Sequence, residues 1–400
     1  MWRVTESARG GGGRSRREAS PGSAAFEAPA RARSPVGEIL SSVLPRRQLD
    51  SRSHEKPAIA YWIFNYLPEW EAASKEASTL FSQAQAAYDP SLFAMNTHRR
   101  KLRLTGKIRH LPLPWALAGL PMVRKVASAY RINHLFASAG ERLLAPRLAG
   151  PGSILTVAKA SASLGRIERN AETLERFRFI VTESERDRDL LSQLGLDEER
   201  IKLIYPGFRI MPYRAASGPF KILFATSPFG KYDLLARGVH LILRTARQMP
   251  DVEFVLVWRE ANVDRVRSLI GQFGVHNVEV MNGHVSRMGD VYASVHATIV
   301  PGLEHNSLKP TPFSAIESLA HGKPVLASVP TSVGRMVRRH ACGVCFEPAV
   351  DDLVAAIDLL RRHYAHFRSA CHAVIERKFS PAVYTKKYLS LYEAVLARRS

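Results

Sequence analysis

From about residue 56 onward, short apolar runs alternate with helix-patterned segments, and few folds accept that order. Ala58–Phe64 reads as a strand, followed by candidates at Leu92–Met95, His134–Ala137, Ile154–Val157, Phe179–Thr182 and Lys202–Tyr205. Between the last two, Ser184 opens a helix as its N-cap, with Asp187 at the third position and Gly195 at the stop. Strands alternating with helices imply βαβ units and a parallel sheet buried on both faces. Pro206-Gly207 closes this series, and a second begins at the strand Ile222–Ala225. Val239, Ile242, Leu243 and Ala246 mark one helical face, and strands follow at Phe254–Trp258, Val278–Met281, Ala297–Val300 and Val325–Ala327. Leu353, Ile357 and Leu360 predict another helix, capped by Asp351 or Asp352. The last helix starts at Ser380-Pro381, and its stripe of Tyr384, Tyr388, Leu391, Tyr392 and Val395 reads as core packing.

Two such series need two cores. With 400 residues and 46% hydrophobic side chains, the chain can supply both, since a domain takes roughly 100–200 residues. Residues 1–54 are rich in Arg, Gly, Ser, Ala and Pro, carry no apolar period and are expected to form a disordered basic extension. Glu6 and Glu18 count against a transit peptide. The expected division is 55–208, 209–378, and a last helix within 379–400 that crosses back to the first domain.

A net charge of +21 draws the chain toward polyanions: phosphorylated ligands, anionic lipid or nucleic acid. Charge alone does not choose among them, but no usual RNA- or DNA-binding motif is present, which disfavours nucleic acid. Cys342, Cys345 and Cys371 are too few for a disulfide framework. The Cys342/Cys345 pair lacks the two further ligands a zinc site needs, and CGVCFEP reads as a strand with structural cysteines. No apolar run reaches the ~18 residues of a membrane-spanning helix. A cytoplasmic protein, with or without a membrane-surface contact, is expected.

The segment Lys309–Ser328, KPTPFSAIESLAHGKPVLAS, carries the chemistry. Thr311 is suited to cap a short helix, Pro312 to its first position, and Gly322 to its stop. The free N–H groups and dipole of such a helix attract phosphate. Glu317 lies inside it between Ile316 and Leu319, where a carboxylate either bonds a ligand hydroxyl or pairs with a buried cation.

This segment resembles the C-terminal signature of the retaining GT-B glycosyltransferases often called glycosyltransferase group 1, in which a Glu-x7-Glu motif precedes a Gly-Lys-Pro-Val strand. Here Glu317-Ser-Leu-Ala-His-Gly-Lys-Pro-Val matches the later part. Ile222–Gly238 and the stretch GHVSRMGDVYASVHATIVPG resemble the family's approach to its diphosphate and sugar-nucleotide loop, and the likeness spans about 200–396. In the N-terminal half the likeness is one of pattern, through PEWEAASKEAS and FIVTESERDRDLLSQLG. The resemblance implies two Rossmann-like domains facing across a cleft, and sugar transfer from a nucleotide-sugar to an acceptor hydroxyl with retention of configuration. Glu317 would hold the ribose hydroxyls. Thr311, Phe313 and Ser314 keep N–H donors. The family's usual arginine after the first strand is missing, and Lys231, Arg237 at the position of the family's lysine, and Arg259, at a strand's C-terminal end where the family often has glycine, are the cations available for the diphosphate. The scheme calls for no metal and no cofactor.

This chain departs from the pattern at named places. Lys309 stands where the family has its first glutamate, reverses the charge there, and is suited instead to the diphosphate. Pro310 and Pro312 remove two N–H donors. Ala158 and Lys159 stand where many relatives have a histidine, so no catalytic acid, base or nucleophile is named. Each cation has a solvated surface role as its alternative. Residues 98–125 place six cations, Arg99 to Arg109, before the apolar Leu111–Val123 with Trp115, a pattern that suits an anionic lipid surface, and the resemblance implies a lipid-linked or carbohydrate acceptor. The competing function is a degenerate GT-B module that binds a partner or membrane without catalysis.

Overall fold

The computed structural model describes residues 56–397 apart from 69–70, 97–102, 106, 111–119, 138–140, 158–170, 227–230 and 305–307. The expected extension 1–54, the positions Ala158 and Lys159, Trp115 and the cations Arg99, Arg100 and Lys101 lie outside the described residues.

Eight strands make the first sheet: β1 (Ala58–Asn65), β2 (Asp89–Asn96), β3 (Arg103–Thr105), β4 (Ile108–His110), β5 (Ile132–Ala137), β6 (Ser153–Val157), β7 (Phe179–Thr182) and β8 (Ile201–Leu203). Their spatial order is β3-β4-β2-β1-β5-β6-β7-β8, parallel except for the β3–β4 hairpin. That hairpin lies inside the stretch read from sequence only as a cationic patch. Two three-residue strands carry too little alternation to be legible. There Lys107 pairs with Asp89, and Leu120 and Val123 are buried.

The second sheet contains β9 (Phe220–Ala225), β10 (Val252–Trp258), β11 (Val278–Asn282), β12 (Ala297–Val300), β13 (Val325–Ser328) and β14 (Gly343–Phe346). Its order, β11-β10-β9-β12-β13-β14, is wholly parallel and reverses direction between β9 and β12. Such a reversal leaves a crevice at the carboxyl ends of the two strands, the usual ligand position in open α/β sheets. Burial on both faces explains the near-continuous apolar strands: β12 and β13 are buried at every position.

Helix boundaries follow local chemistry. The Ser184 side chain accepts from the Asp187 N–H, and Ser380 caps the Pro381–Leu396 helix through the Val383 N–H. The Val350–Arg362 helix differs from expectation. Its cap is Ala349, and Asp351 and Asp352 lie in the first turn, where their charge still favours the helix dipole. Cys342, Cys345 and Cys371 are free thiols. Among the described residues no helix is long and apolar enough to cross a membrane.

The last helix lies against the first sheet, with Tyr384, Tyr388 and Tyr392 buried among Ile59, Tyr61 and Ile154. Such hydroxyls need partners once they leave water. His134 supplies one: its ring nitrogens lie 2.8 Å from the Tyr392 hydroxyl and 2.7 Å from Thr156 Oγ1, and Thr156 Oγ1 is 2.9 Å from the Tyr388 hydroxyl.

Burial lowers the His134 pKa from 6.5 to about 3, so the folded ring stays neutral while the unfolded one titrates normally. The stability this contributes is complete above about pH 6.5 and is lost as the pH falls toward 3. Thermal unfolding followed from pH 7 to pH 4 should show a falling Tm. His134→Gln should have a lower Tm at pH 7 and a visibly shallower decline.

Candidate functional site

A cleft of about 500 Å³ opens between the two sheets. Its floor is the switch point of the second sheet: Phe224 and Ala225 from β9, Ile299 and Val300 from β12. The first turn of the Ala72–Ala84 helix closes it from the other side through Ala72 and Lys75. Lys309, Phe313, Ser314, Glu317, Arg237 and Arg259 all line it. Residues as far apart in sequence as Ala72 and Glu317 thus meet in one space, at the carboxyl-end side of the second sheet.

Glu317 sits in the Phe313–Ala320 helix with 27% of its side chain exposed. The hydroxyl of Tyr292, from the Met288–Ser294 helix, donates to Glu317 Oε2 at 2.9 Å and approaches the Ser314 carbonyl at 3.2 Å. Burial, then the Glu317 charge beside it, pushes the Tyr292 hydroxyl well above its ordinary pKa, so it remains a donor. Tyr292 in turn stacks on His321 at 4.8 Å between ring centroids, and His321 Nδ1 lies 2.7 Å from the Glu317 carbonyl. The carboxylate is therefore oriented by one bond while its other oxygen, Oε1, faces Lys75 Nζ at a loose 3.9 Å. Such a group is arranged to accept hydrogen bonds from a ligand.

Lys309 behaves differently from the expectation that it meets a diphosphate. Its Nζ is 2.7 Å from Glu76 Oε1 and 2.7 Å from Glu183 Oε2, both on the first-sheet side, with those two side chains 5% and 2% exposed. Burial alone would lower the Lys309 pKa, but Glu183 and Glu76 outweigh it and hold the ammonium above the ordinary lysine range. Burial and then Glu76 drive the Glu183 carboxyl well above its ordinary pKa, with Lys309 offsetting only part. The charge reversal at position 309 is thus absorbed inside the protein: one ammonium answers two carboxyl groups, and little positive field is left for a ligand.

Thr311 is also displaced from its expected role. Its buried hydroxyl donates to the Glu183 carbonyl at 2.8 Å, and the helix N-cap is Pro312, without a side-chain cap. Pro312 sits at φ −65° in extended geometry, which suits a cap position and leaves Phe313 to begin the helix. Arg237 is fixed by its bond to Thr226 Oγ1 at 2.5 Å. The backbone after it turns left-handed at Gly238 (φ +77°), where a Cβ would lie 2.1 Å from the Pro301 carbonyl oxygen. Arg259 is exposed at the carboxyl end of β10, and Lys231 opens the Lys231–Ala236 helix with its side chain outside the described residues.

Four residues of this site, Tyr292, Lys75, Glu76 and Glu183, lie in stretches that resemble the family but were given no role from sequence. Glu183 was the most accessible to sequence reasoning, because it follows β7 directly at the carboxyl end of a parallel strand. Asp187-Arg188-Asp189 forms an Asp-x-Asp, but Asp189 meets Arg188 and Arg335, and no described group of three His, Cys, Asp or Glu could hold a metal.

Residues 232–375 match the family model described as glycosyl transferases group 1. No curated protein matches the sequence. Among solved structures, the chain is similar to Anabaena Alr3699/HepE in complex with UDP-glucose, at 14% identity and TM-score 0.69, covering 84% of this chain and 99% of that one. It is similar to sucrose-phosphate synthase from Thermosynechococcus elongatus at 14% identity and TM-score 0.67, covering 86% and 100%. WaaG, a glycosyltransferase involved in lipopolysaccharide biosynthesis, aligns at 13% identity and TM-score 0.61, covering 82% and 98%. The fold is GT-B: two doubly wound α/β domains facing across a cleft.

The triad should be measurable by charge exchange. Lys309→Met leaves two enclosed carboxyl groups without a cation and should cost about 3 kcal/mol or more at pH 7 in urea unfolding. Lys309→Glu should be worse still, although it restores the glutamate of the resembled family. Adding Glu76→Lys to Lys309→Glu should recover more than half of that loss.

Proposed function

We propose that the chain is a retaining glycosyltransferase whose donor is a nucleotide-sugar bound in this cleft. The observation that carries the reading is Glu317, oriented by Tyr292 at the switch point of the second sheet and open to the cleft. A carboxylate there is suited to accept from the two ribose hydroxyls of a nucleotide. Departure of the diphosphate is the step that needs help, because negative charge grows on it as the glycosidic bond breaks. Arg237, held by Thr226, and Arg259 present cations to the same cleft, and the Phe313–Ala320 helix directs its N-terminus there. Fixed groups aimed at developing charge need not reorganise during reaction. Closing the cleft would exclude water and favour transfer over hydrolysis. Lys309 is left out of this set because its ammonium is engaged by Glu76 and Glu183.

The solved structure of HepE with UDP-glucose supports a UDP-sugar as the first donor to test. In this reading residues 55–208 form the acceptor-side domain and 209–378 the donor-side domain, with 379–400 crossing back. The acceptor is a carbohydrate or lipid-linked hydroxyl, met on the cytoplasmic side and at an anionic membrane surface. A second reading, a GT-B module that binds without transferring, is favoured by one observation: the position of the resembled family's first glutamate holds a lysine consumed in an internal ion triad.

Thermal unfolding with UDP-, GDP- and ADP-sugars should single out one donor that raises Tm, since a ligand specific to the native state stabilises it by mass action. With that donor, slow release of free nucleotide diphosphate should be detectable and should fall at least about tenfold in Glu317→Ala, the loss of roughly one charged hydrogen-bonding site. Binding without any release, in the wild type and the variant alike, would select the non-catalytic reading. No stabilisation by any donor would overturn the donor reading and leave a module that binds a partner or membrane.

A further inference from the structure

We propose that Lys75, from the first-sheet side of the cleft, is a donor-binding residue: it leaves Glu317 when a nucleotide enters and becomes the cation that meets the diphosphate from across the cleft. The inference rests on the donor reading of Glu317 and extends it to a residue outside the matched segment 232–375.

The geometry gives Lys75 a fixed base and a free tip. Its helix neighbour Glu76 is clamped by Lys309 at 2.7 Å, and the Tyr384 hydroxyl approaches the Glu76 carbonyl at 3.4 Å, so the backbone of this turn cannot drift. The Lys75 side chain itself is 40% exposed and lines the cleft. Its Nζ lies 3.9 Å from Glu317 Oε1, beyond the 2.7–3.2 Å of a direct hydrogen bond. A half-exposed pair at that distance contributes little to stability, so it costs little to break.

Ligand entry changes the balance in one direction. A ribose hydroxyl donating to Glu317 satisfies that carboxylate and makes the lysine redundant there. The same ligand brings two phosphate charges, and a charge-assisted contact between an ammonium and a phosphate oxygen is stronger than the pair given up. A lysine stem has four rotatable bonds and reaches a new partner without backbone movement. Lys309 cannot substitute, because both of its carboxylate contacts are enclosed. The Phe313 ring lies beside both ammonium groups, 4.6 Å from Lys309 Nζ and 5.9 Å from Lys75 Nζ, so one cation serves the protein interior and the other faces the ligand.

The test is calorimetric titration of wild type, Lys75→Met and Lys75→Arg with whichever of UDP, GDP or ADP binds the wild type best, and with the matching nucleoside. In Lys75→Met the diphosphate should bind about tenfold more weakly, one charge-assisted contact. The nucleoside should bind as well as to wild type or slightly better, because a competitor for Glu317 is gone. Lys75→Arg should retain most of the diphosphate affinity, and the unfolding midpoint of Lys75→Met should match the wild type. Unchanged diphosphate binding in Lys75→Met overturns the proposal while leaving the donor reading intact. So does equal weakening of nucleoside and diphosphate, which would assign Lys75 a role in shaping the cleft. A wild type that binds none of the three diphosphates removes the donor reading and this inference together.

Discussion

The ammonium of Lys309, enclosed by Glu76 and Glu183, joins the two halves of the molecule at a place where a mismatch would be costly. A buried ion pair gains little over well-packed apolar side chains, but a buried charge without its partner is expensive. The triad therefore acts as a register mark: the halves pack with full compensation only when the segment before the Phe313–Ala320 helix meets both the Ala72–Ala84 helix and the end of β7. Thr311 adds a second tie to the same spot through the Glu183 carbonyl. The walls of the cleft, including the positions of Lys75 and Glu317, follow from that contact.

Other parts of the chain hold the arrangement from behind. The Phe208 N–H donates to the Phe379 carbonyl at 2.5 Å and the Met211 N–H to the Ala320 carbonyl at 2.8 Å, so the segment leaving the first sheet is bound to the second-sheet layer. Gly207 lets the last helix approach: a Cβ there would lie 3.1 Å from Pro381 Cα. That helix then carries three tyrosines into the core of the first domain, where His134 and Thr156 partner the Tyr392 and Tyr388 hydroxyls and the Tyr384 hydroxyl approaches the Glu76 carbonyl. Each crossing reduces the freedom of the two sheets to slide.

Much of the fold was legible because its determinants are local. Twelve of the fourteen strands among the described residues follow from apolar runs long enough to stand out, and the caps at Ser184 and Ser380 depend on residues within three positions. The β3–β4 hairpin was not legible, since its three-residue strands are too short to show alternation and sit inside a run of cations. In the site, Glu317, Phe313, Ser314, Arg237 and Arg259 do line the cleft, because a position after a parallel strand or at a helix start already points toward the crevice. The Lys309 ammonium, assigned to a ligand, and the Thr311 hydroxyl, read as a helix cap, are engaged by protein instead. Nothing in their own segment could reveal that, as their partners lie more than 120 residues away.

The sequence by itself determined the two α/β series, their order, the short segment that carries Glu317, and the departure at Lys309. These are set by side-chain periodicity and by backbone preferences that act over a few residues. Only the tertiary structure decided which charges remain available for a ligand. That depends on which groups leave water together, and desolvation and Coulomb interaction are properties of distance in space, not of separation along the chain.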